Sequence, residues 1–391
     1  MQSIKQVIGG MWMKSRIERL TLSGIRQFAA RYQGHEDMVF LTIGEPDLDT
    51  PDAIKEAAMD SLNRNDTHYP PAIGNLELRE AIAQYESQFN LKPYTEANVI
   101  ITNGATEGLT LAIWSVVQEG DEVVIFTPSF PLYQTQVTLA GAVPVLLDTS
   151  VSDFQVTREM LEAVITDRTR AILFATPNNP TGVVYNEASI QAIREVLTVR
   201  SDIYVIVDEV YRSMLYEGAI PTLRFDESLQ DQIIITQSFS KSHAMTGWRV
   251  GYVLADTKCI ELMHRLHQNL VTGISSFSQS ACVVALGVDT RYMVEAYAIR
   301  RDYILQRLDE MGMPYVRPEG AFYVFPSIKE FGMASEAFAT QLADQYGLVT
   351  IPGIYFGTEG HIRISYGSPL TVLEKGMDRL EQFVRDLRAN N

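Results

Sequence analysis

The stretch that decides the fold is Ser238-Phe239-Ser240-Lys241-Ser242-His243-Ala244-Met245-Thr246-Gly247-Trp248-Arg249-Val250-Gly251-Tyr252. Apolar runs lie on both sides of it, at residues 233–236 and 250–254, and short β-branched runs of this kind are typical of buried strands. Lys241 therefore lies in a loop of small residues between two core strands, although an ammonium group resists burial unless it is paired or neutralised. A lone lysine in such a loop is more often a surface residue. Here the serine hydroxyls and Arg249 could hold a phosphate beside the amine.

The apolar runs along the rest of the chain predict a sheet around this loop. From about residue 99 they alternate with helical segments, at residues 99–101, 123–126, 143–147, 170–174, 204–207 and 233–235. This alternation predicts an α/β fold with a mainly parallel sheet covered by helices on both faces. Ligands bind at the carboxyl ends of the strands in such sheets. The candidate site residues are therefore those that follow the strands: Gly104, Ala105, Thr106, Phe130, Asn179, Asp208, Tyr211, Ser238 and Lys241.

A change in pattern along the chain predicts two domains. The large domain takes residues 46–289, and a smaller α+β domain takes residues 290–391 together with an N-terminal arm over residues 1–45. Thr50-Pro51 predicts the start of a helix in the large domain, with the Thr50 hydroxyl as its N-cap. The arm and the small domain are expected to contain a helix at 14–33, a long charged helix from about 290, a closing helix at 372–388, and strands at 40–43, 322–325 and 362–364.

Charge and composition narrow the class of partner. The net charge of −16 argues against nucleic acid and against an anionic membrane surface. Cys259 and Cys282 offer neither a disulfide framework nor metal spacing, and residues 1–10 lack the apolar core of a signal peptide, so a cytoplasmic protein is expected. His264 and His267 lie three apart without a carboxylate or cysteine to complete a metal set. We expect both histidines at the surface and no metal.

One stretch without charges, residues 270–288, is long enough to suggest a membrane span. It contains too many serines and other polar residues for hydrocarbon. We expect a buried helix or loop near the site instead.

The motif Ser-x-Ser-Lys at residues 238–241, followed by Gly-Trp-Arg-Val-Gly, resembles the cofactor-lysine signature of the class I aminotransferases. These are fold-type I enzymes that use pyridoxal 5′-phosphate (PLP). The resemblance covers nearly the whole chain in the family's order, from Gly44-Glu45-Pro46-Asp47 through Asn179-Pro180-Thr181-Gly182 to Arg363. Within the family the chain is most similar to the bacterial aminotransferase A and aromatic aminotransferases. The fingerprints of nicotinamide and P-loop enzymes are absent from the sequence.

The resemblance implies a role at the cofactor for each matched residue, although each short motif also occurs as an ordinary turn. Lys241 would carry PLP covalently. Asp208, a carboxylate that ends a buried strand and so needs a cationic partner, would face the protonated pyridine nitrogen. Asn179 and Tyr211 would bond the phenolic oxygen of PLP, and Phe130 would stack on its ring. Backbone amides at the start of a helix favour an anion. The residues expected at the phosphate are Gly104, Ala105, Thr106, Ser238 and Arg249.

The substrate and the partner chain follow from three further residues. Arg363 is an arginine inside an apolar strand, and its planar guanidinium suits bidentate binding of a carboxylate. The resemblance implies that it holds the substrate α-carboxylate with Asn179 and the loop of Gly44, and an internal salt bridge is the alternative. Tyr69 matches the tyrosine that reaches the phosphate of the neighbouring subunit's cofactor. This implies a homodimer with shared active sites.

The predicted function is that of a PLP-dependent aminotransferase, with Lys241, Asp208 and Tyr211 as catalytic residues. It would move the amino group of an L-amino acid to a 2-oxo acid such as 2-oxoglutarate. No cation lies between His267 and Phe277, a segment that often carries a second arginine in dicarboxylate-specific relatives, so an aromatic or large neutral donor is expected. Two alternatives stay open. One is a PLP-dependent β-lyase on the same fold, and the other is a non-catalytic regulatory module.

Overall fold

The computed structural model describes residue 20 and residues 23–390. Its strands are β1 (Val39–Phe40), β2 (Val99–Thr102), β3 (Glu122–Thr127), β4 (Val143–Asp148), β5 (Thr169–Ala175), β6 (Tyr204–Asp208), β7 (Ile233–Ser238), β8 (Gly251–Leu254), β9 (Tyr323–Val324), β10 (Leu348–Val349), β11 (Ile351–Pro352) and β12 (Ile362–Ser365). Its α-helices are α1 (Gly24–Ala30), α2 (Asp52–Asn63), α3 (Leu76–Ser87), α4 (Gly104–Val116), α5 (Leu132–Ala140), α6 (Arg158–Val164), α7 (Glu187–Val199), α8 (Phe239–Ser242), α9 (Thr257–Leu270), α10 (Ser276–Ala285), α11 (Arg291–Glu310), α12 (Ser335–Tyr346) and α13 (Leu370–Asn390).

Seven strands form the large sheet, in the order β2-β8-β7-β6-β5-β3-β4. The strands from β7 to β4 pair in parallel, and β8 lies antiparallel between β7 and β2. Both faces of β3 and β7 are buried along their whole length, as a sheet covered by helices requires. The predicted α/β fold with a mainly parallel sheet is therefore confirmed, and each predicted run is a strand.

The register of the sheet brings the strand ends together. Asp208 pairs with Ala175 on one side and with Thr236 on the other. Gly251, at the start of β8, lies opposite both Ser238 and Thr102. The ends of β2, β6 and β7 therefore lie at one edge, where the candidate residues were expected.

Two small sheets lie outside the large one. β1 pairs in parallel with β10, and β12 lies between β11 and β9 in an antiparallel sheet. A second hydrophobic core joins these strands to α11, α12 and α13. The arm thus pairs with a strand of the predicted small domain, while the domain bounds themselves stay a prediction.

Three local predictions differ from the structure. α1 covers only part of the helix expected at 14–33, of which residues 14–19, 21 and 22 lie outside the described residues. The strand expected at 40–43 ends at Phe40, because side chains from β12 bond the carbonyl groups that follow it. The Thr50 N-cap was wrong, since α2 follows Pro51 without a side-chain cap and the Thr50 hydroxyl donates to the Ala244 carbonyl at 2.7 Å.

The charge-free stretch at 270–288 consists of a loop and the helix α10, which has one face buried, in agreement with the predicted buried helix or loop. Ala281, Cys282 and Ala285 on α10 are fully buried in the core beside the large sheet. Among the described residues, no helix combines the length and the apolar character needed to cross a membrane.

Candidate active site

The turn from β2 into α4 forms one wall of the site. α4 begins without a side-chain N-cap, so its first-turn amides can bond an anion. Gly104, the first residue of α4, has a φ of +67°, and a Cβ atom here would lie 2.5 Å from Nη2 of Arg249. Only glycine lets the guanidinium come this close to the turn. Arg249 also donates to the carbonyl groups of Asn103 at 3.3 Å and Thr246 at 3.0 Å.

Ser238, at the end of β7, closes the wall from the neighbouring strands. Its Oγ accepts from the Ser240 amide at 3.0 Å and donates to the Val250 carbonyl at 3.1 Å. A Cβ atom at Gly251 would lie 2.7 Å from the Gln237 carbonyl oxygen, so the backbones meet closely here. Amides, a hydroxyl and a guanidinium therefore lie close together at this edge of the sheet, and their chemistry fits a phosphate. We call this set the phosphate cup: Gly104, Ala105, Thr106, Ser238 and Arg249.

Lys241 lies on α8, next to the phosphate cup. Its Nζ donates to the carbonyl of Gly44, which belongs to the loop after β1. Burial lowers the pKa of Lys241 to about 8, against the opposing effect of the Glu45 carboxylate, and nearby guanidinium groups act in the same direction as burial. An amine with this pKa is partly unprotonated near neutral pH, so it can attack a carbonyl carbon.

Asp208 is a buried carboxylate at the end of β6, 5% exposed. The Tyr133 hydroxyl donates to Oδ2 at 2.8 Å, and the Val210 amide donates to Oδ1 at 3.2 Å. Burial raises the pKa of Asp208 to about 6, although the hydrogen bond from Tyr133 lowers it. No Lys or Arg of the described residues forms a salt bridge with it. This carboxylate therefore suits a cationic N–H partner such as a protonated pyridine.

A ring of four charges fixes the turn that presents Asp208. Arg212 donates to both oxygens of Glu86 at 2.6 and 2.8 Å, and to Glu209 at 2.9 Å. Arg224, 1% exposed, donates to the same two carboxylates at 2.8 and 3.3 Å. Two cations and two anions compensate each other in a setting of low dielectric, which makes the arrangement rigid.

Two tyrosine hydroxyls face the loop of Gly44. The oxygens of Tyr211 and Tyr323 lie 2.8 Å apart, and their rings pack edge to face. A Cβ atom at Gly44 would lie 2.7 Å from the Tyr323 hydroxyl. Glycine at this position therefore lets the loop approach both tyrosines.

Arg363 is 3% exposed on β12 and is held by neutral groups. Its Nη1 donates to Oδ1 of Asn179 at 2.9 Å and its Nη2 to the Thr42 carbonyl at 2.7 Å. The guanidinium lies over the rings of Tyr323 and Phe356, at 4.5 and 4.9 Å from their centroids. Its Nε is buried without a partner, and no carboxylate of the described residues pairs with it. The part of the chain that the structure describes therefore offers no internal salt bridge, which was the alternative role for Arg363.

Phe130 and Tyr69 complete the predicted set. Phe130 packs edge-on against Tyr133 with 6.0 Å between ring centroids, so it is tied to the residue that holds Asp208. Tyr69 is 91% exposed and points away from the fold of its own chain. The structure therefore gathers the matched residues at one edge of the sheet, with Tyr69 as the exception.

Sequence reasoning missed the role of Tyr133 and was wrong about His267. Tyr133 is 75 positions from Asp208, and no local pattern links the two. His267 was expected at the surface but is fully buried, with its Nδ1 2.7 Å from Oε1 of Glu107. A signal existed, because Ile260, Met263 and His267 follow helical spacing and all lie on the buried face of α9.

Known proteins are similar to this chain in structure and in sequence. The solved structure of aspartate aminotransferase from Thermotoga maritima superposes with a TM-score of 0.91 at 32% identity, and covers 95% of this chain and 99% of its own. The probable N-acetyl-LL-diaminopimelate aminotransferase of Bacillus subtilis is 38% identical over 95% of both chains. Aromatic-amino-acid aminotransferase 2 of Thermococcus litoralis is 36% identical over 96% of this chain and 99% of its own. Fold and site together define a fold-type I PLP enzyme.

The profile of one family, Aminotransferase class I and II, matches residues 36–380. The chain belongs to this family. It is an aminotransferase that depends on PLP.

Proposed function

We propose that this aminotransferase takes its amino group from an aromatic or large neutral L-amino acid and passes it to a 2-oxo acid such as 2-oxoglutarate. The observation that carries the proposal is the Arg363 guanidinium, buried without a carboxylate partner among the described residues. A buried charge without a partner is costly. The α-carboxylate of an amino acid supplies the missing charge with bidentate geometry. Asn179 and the Thr42 carbonyl keep the guanidinium in place for it.

The other side chains divide the remaining work. PLP, when bound, supplies an aldehyde that reacts with amines and a ring that withdraws electrons from the substrate Cα. The Lys241 amine would hold the cofactor and would take the proton from the substrate Cα. Proton transfer of this kind contributes ~10²–10⁴-fold to the rate. Asp208 would keep the ring nitrogen protonated, and Tyr211 and Asn179 would hold the phenolic oxygen.

The segment between His267 and Phe277, which we expect beside the donor side chain, contains no cation. The segment from residue 270 to Phe277 packs against the Tyr69 loop, since the Ser276 hydroxyl donates to the His68 carbonyl at 2.9 Å. It offers hydroxyl and apolar groups. A distal carboxylate would need a cation from another segment, as 2-oxoglutarate does when it acts as the acceptor, whereas an aromatic donor ring packs well against Ile43, which is 47% exposed.

Donor preference is the test of this proposal. With 2-oxoglutarate as acceptor, we expect kcat/KM for phenylalanine or tyrosine to exceed that for aspartate at least tenfold, about 1.4 kcal/mol of transition-state preference. Methionine and alanine in the same assay separate size from aromaticity. A kcat/KM for aspartate ten times that for phenylalanine or tyrosine would contradict the proposal and would show that a cation lines the pocket of the donor side chain.

Homodimerisation is part of the proposal. Large apolar side chains are exposed along α2, the Tyr69 loop and the end of α9, where α2 packs on α10: Met59, Leu62, Tyr69 and Leu270. Exposed apolar surface of this extent marks interaction sites. A second copy of this chain would cover it and would receive Tyr69 at its own phosphate cup.

Subunit complementation tests the shared site. Lys241→Ala chains and Tyr69→Phe chains are each expected to lose activity. A mixed dimer should recover part of the wild-type activity, because one of its two sites then has an intact Lys241, Arg249 and Tyr69. A verified heterodimer that stays inactive would assign each site to a single chain.

Asp208→Asn should separate function from stability. Because burial raises the pKa of Asp208 from 3.8 to about 6, its ionisation penalises the fold increasingly as pH rises from 4 to 6. The apo variant, which cannot ionise there, should be more stable than the apo wild type above pH 6, by about 1–3 kcal/mol. Turnover should fall severely, since a neutral amide does not keep the pyridine nitrogen protonated.

Urea unfolding midpoints of the two apoproteins at pH 5 and pH 7.5 measure the difference in stability. Asp208→Asn should exceed the wild type in stability by more at pH 7.5 than at pH 5. A variant with near-normal turnover would make Asp208 structural, and a gain independent of pH would mean that its ionisation does not matter.

The β-lyase and the regulatory module, the two alternative functions, are distinguished from an aminotransferase by their products. A β-lyase releases ammonia and a keto acid such as pyruvate, whereas the proposed enzyme needs 2-oxoglutarate to turn over. A regulatory module would show no turnover with any amino acid.

Cys259 and Cys282 are free and buried, which supports the proposed cytoplasmic location.

A further inference from the structure

A buried pair of polar residues lies behind the phosphate cup. Nδ1 of His267 on α9 is 2.7 Å from Oε1 of Glu107 on α4, and the two side chains are 0% and 9% exposed. Nε2 of His267 has no hydrogen-bond partner among the residues that the structure describes. A buried nitrogen without a hydrogen bond costs about 1–3 kcal/mol, so a role in packing alone would favour an apolar residue.

The pair is connected to the cup through Asn103. The other carboxylate oxygen of Glu107, Oε2, accepts the Asn103 amide at 2.6 Å. The Asn103 carbonyl in turn accepts from Nη2 of Arg249 at 3.3 Å. Both backbone groups of Asn103 are thus held, one by Glu107 and one by the arginine of the cup, immediately before Gly104.

The charge of Glu107 presents a problem that His267 resolves. Glu107 lies one turn after Gly104, on the helix end that faces the anion, and a carboxylate near a phosphate dianion repels it. Among the described residues, His267 is the one basic side chain paired with Glu107. A hydrogen bond from the Nδ1–H of His267 stabilises the negative charge on Oε1 of Glu107, the carboxylate oxygen that faces α9.

We propose that His267 is a positioning residue for the cofactor phosphate: it orients and compensates Glu107, which fixes the Asn103-Gly104 turn of the cup. The inference rests on the proposed function, because it takes this cup as the phosphate site. It predicts that His267 affects the affinity for the phosphate of PLP and leaves the affinity for the rest of the molecule unchanged.

The test compares PLP with pyridoxal, which lacks the phosphate, in titrations of the apoenzyme. The ratio of the pyridoxal Kd to the PLP Kd reports the contribution of the phosphate. We expect His267→Leu to lower this ratio at least tenfold, because Glu107 keeps its charge and loses its partner. His267→Asn places an amide N–H at the position of Nδ1 and should keep the ratio within threefold of wild type.

A second substitution distinguishes charge from packing. In His267→Leu with Glu107→Gln the charge is gone and the glutamine oxygen can still accept the Asn103 amide, so the ratio should return to within threefold of wild type. Glu107→Gln alone should keep or raise it, and this arm decides the matter if His267→Leu does not fold. Three results would each overturn this inference and leave the proposed function standing. They are a wild-type ratio in folded His267→Leu, a double variant with a ratio as low as that of His267→Leu, and a tenfold lower ratio in Glu107→Gln. Failure of the wild-type apoenzyme to bind PLP would overturn the proposed function as well.

Discussion

Lys241→Ala should abolish covalent binding of PLP and lower kcat by at least about 10³–10⁴-fold. The variant loses both the amine that holds the cofactor and the base that takes the Cα proton, and general base catalysis alone accounts for ~10²–10⁴. The cup and Asp208 remain, so the apoprotein should still bind PLP without a covalent bond. Borohydride reduction followed by peptide mapping measures the covalent bond directly.

The matched control is Lys258→Ala, which removes an exposed lysine on α9. It should leave the yellow colour, the reduced adduct and the rate unchanged. A wild-type adduct that maps to any lysine other than Lys241, or the absence of an adduct, would refute the assignment of the active site.

Arg363→Lys should raise KM for the amino donor strongly, with a loss in binding of about 2–5 kcal/mol, which is roughly 30-fold or more. Lysine keeps the positive charge but loses the planar fork that bonds both carboxylate oxygens. It also gives up the stacked position over Tyr323 and Phe356. Affinity for PLP should change much less than KM, because Arg363 does not bond the cup and reaches the cofactor only through Asn179.

Arg379→Lys serves as the control, since Arg379 pairs with Asp37 on the small domain. Its KM should equal that of the wild type. If Arg363→Lys leaves KM unchanged for every donor, the α-carboxylate is bound elsewhere and Arg363 serves only the packing of β12.

Much of the site was accessible from the sequence because its residues are local to strand ends. Asp208 directly follows an apolar run, and Lys241 lies between two of them, so a period-2 or continuous apolar pattern is enough to place them at the sheet edge. The motif around Asn179 is contiguous, and the cup residues come from three short segments beside the ends of β2, β7 and β8. The structure puts these residues where the pattern predicts.

Other predictions from local pattern failed where a distant partner decided the outcome. The Thr50 hydroxyl has the residue type and position of an N-cap, yet the Ala244 carbonyl, 194 positions away, accepts its hydrogen bond. The run at residues 40–43 has the composition of a strand, but Arg363 and Ser365 take the carbonyl groups of Thr42 and Ile43.

The sequence by itself determined the order of strands and helices, the strand ends at which chemistry occurs, and the residue types available there. These depend on periodicity and turn chemistry, which act within a few residues. Tertiary structure alone decided which groups bond the reactive side chains. Tyr133 bonds Asp208, Tyr323 bonds Tyr211, the Gly44 carbonyl bonds Lys241, and His267 bonds Glu107. Each partner lies between 75 and 197 positions away. Hydrogen bonds and pKa shifts of buried groups depend on such neighbours in space, and no local pattern in the chain records them.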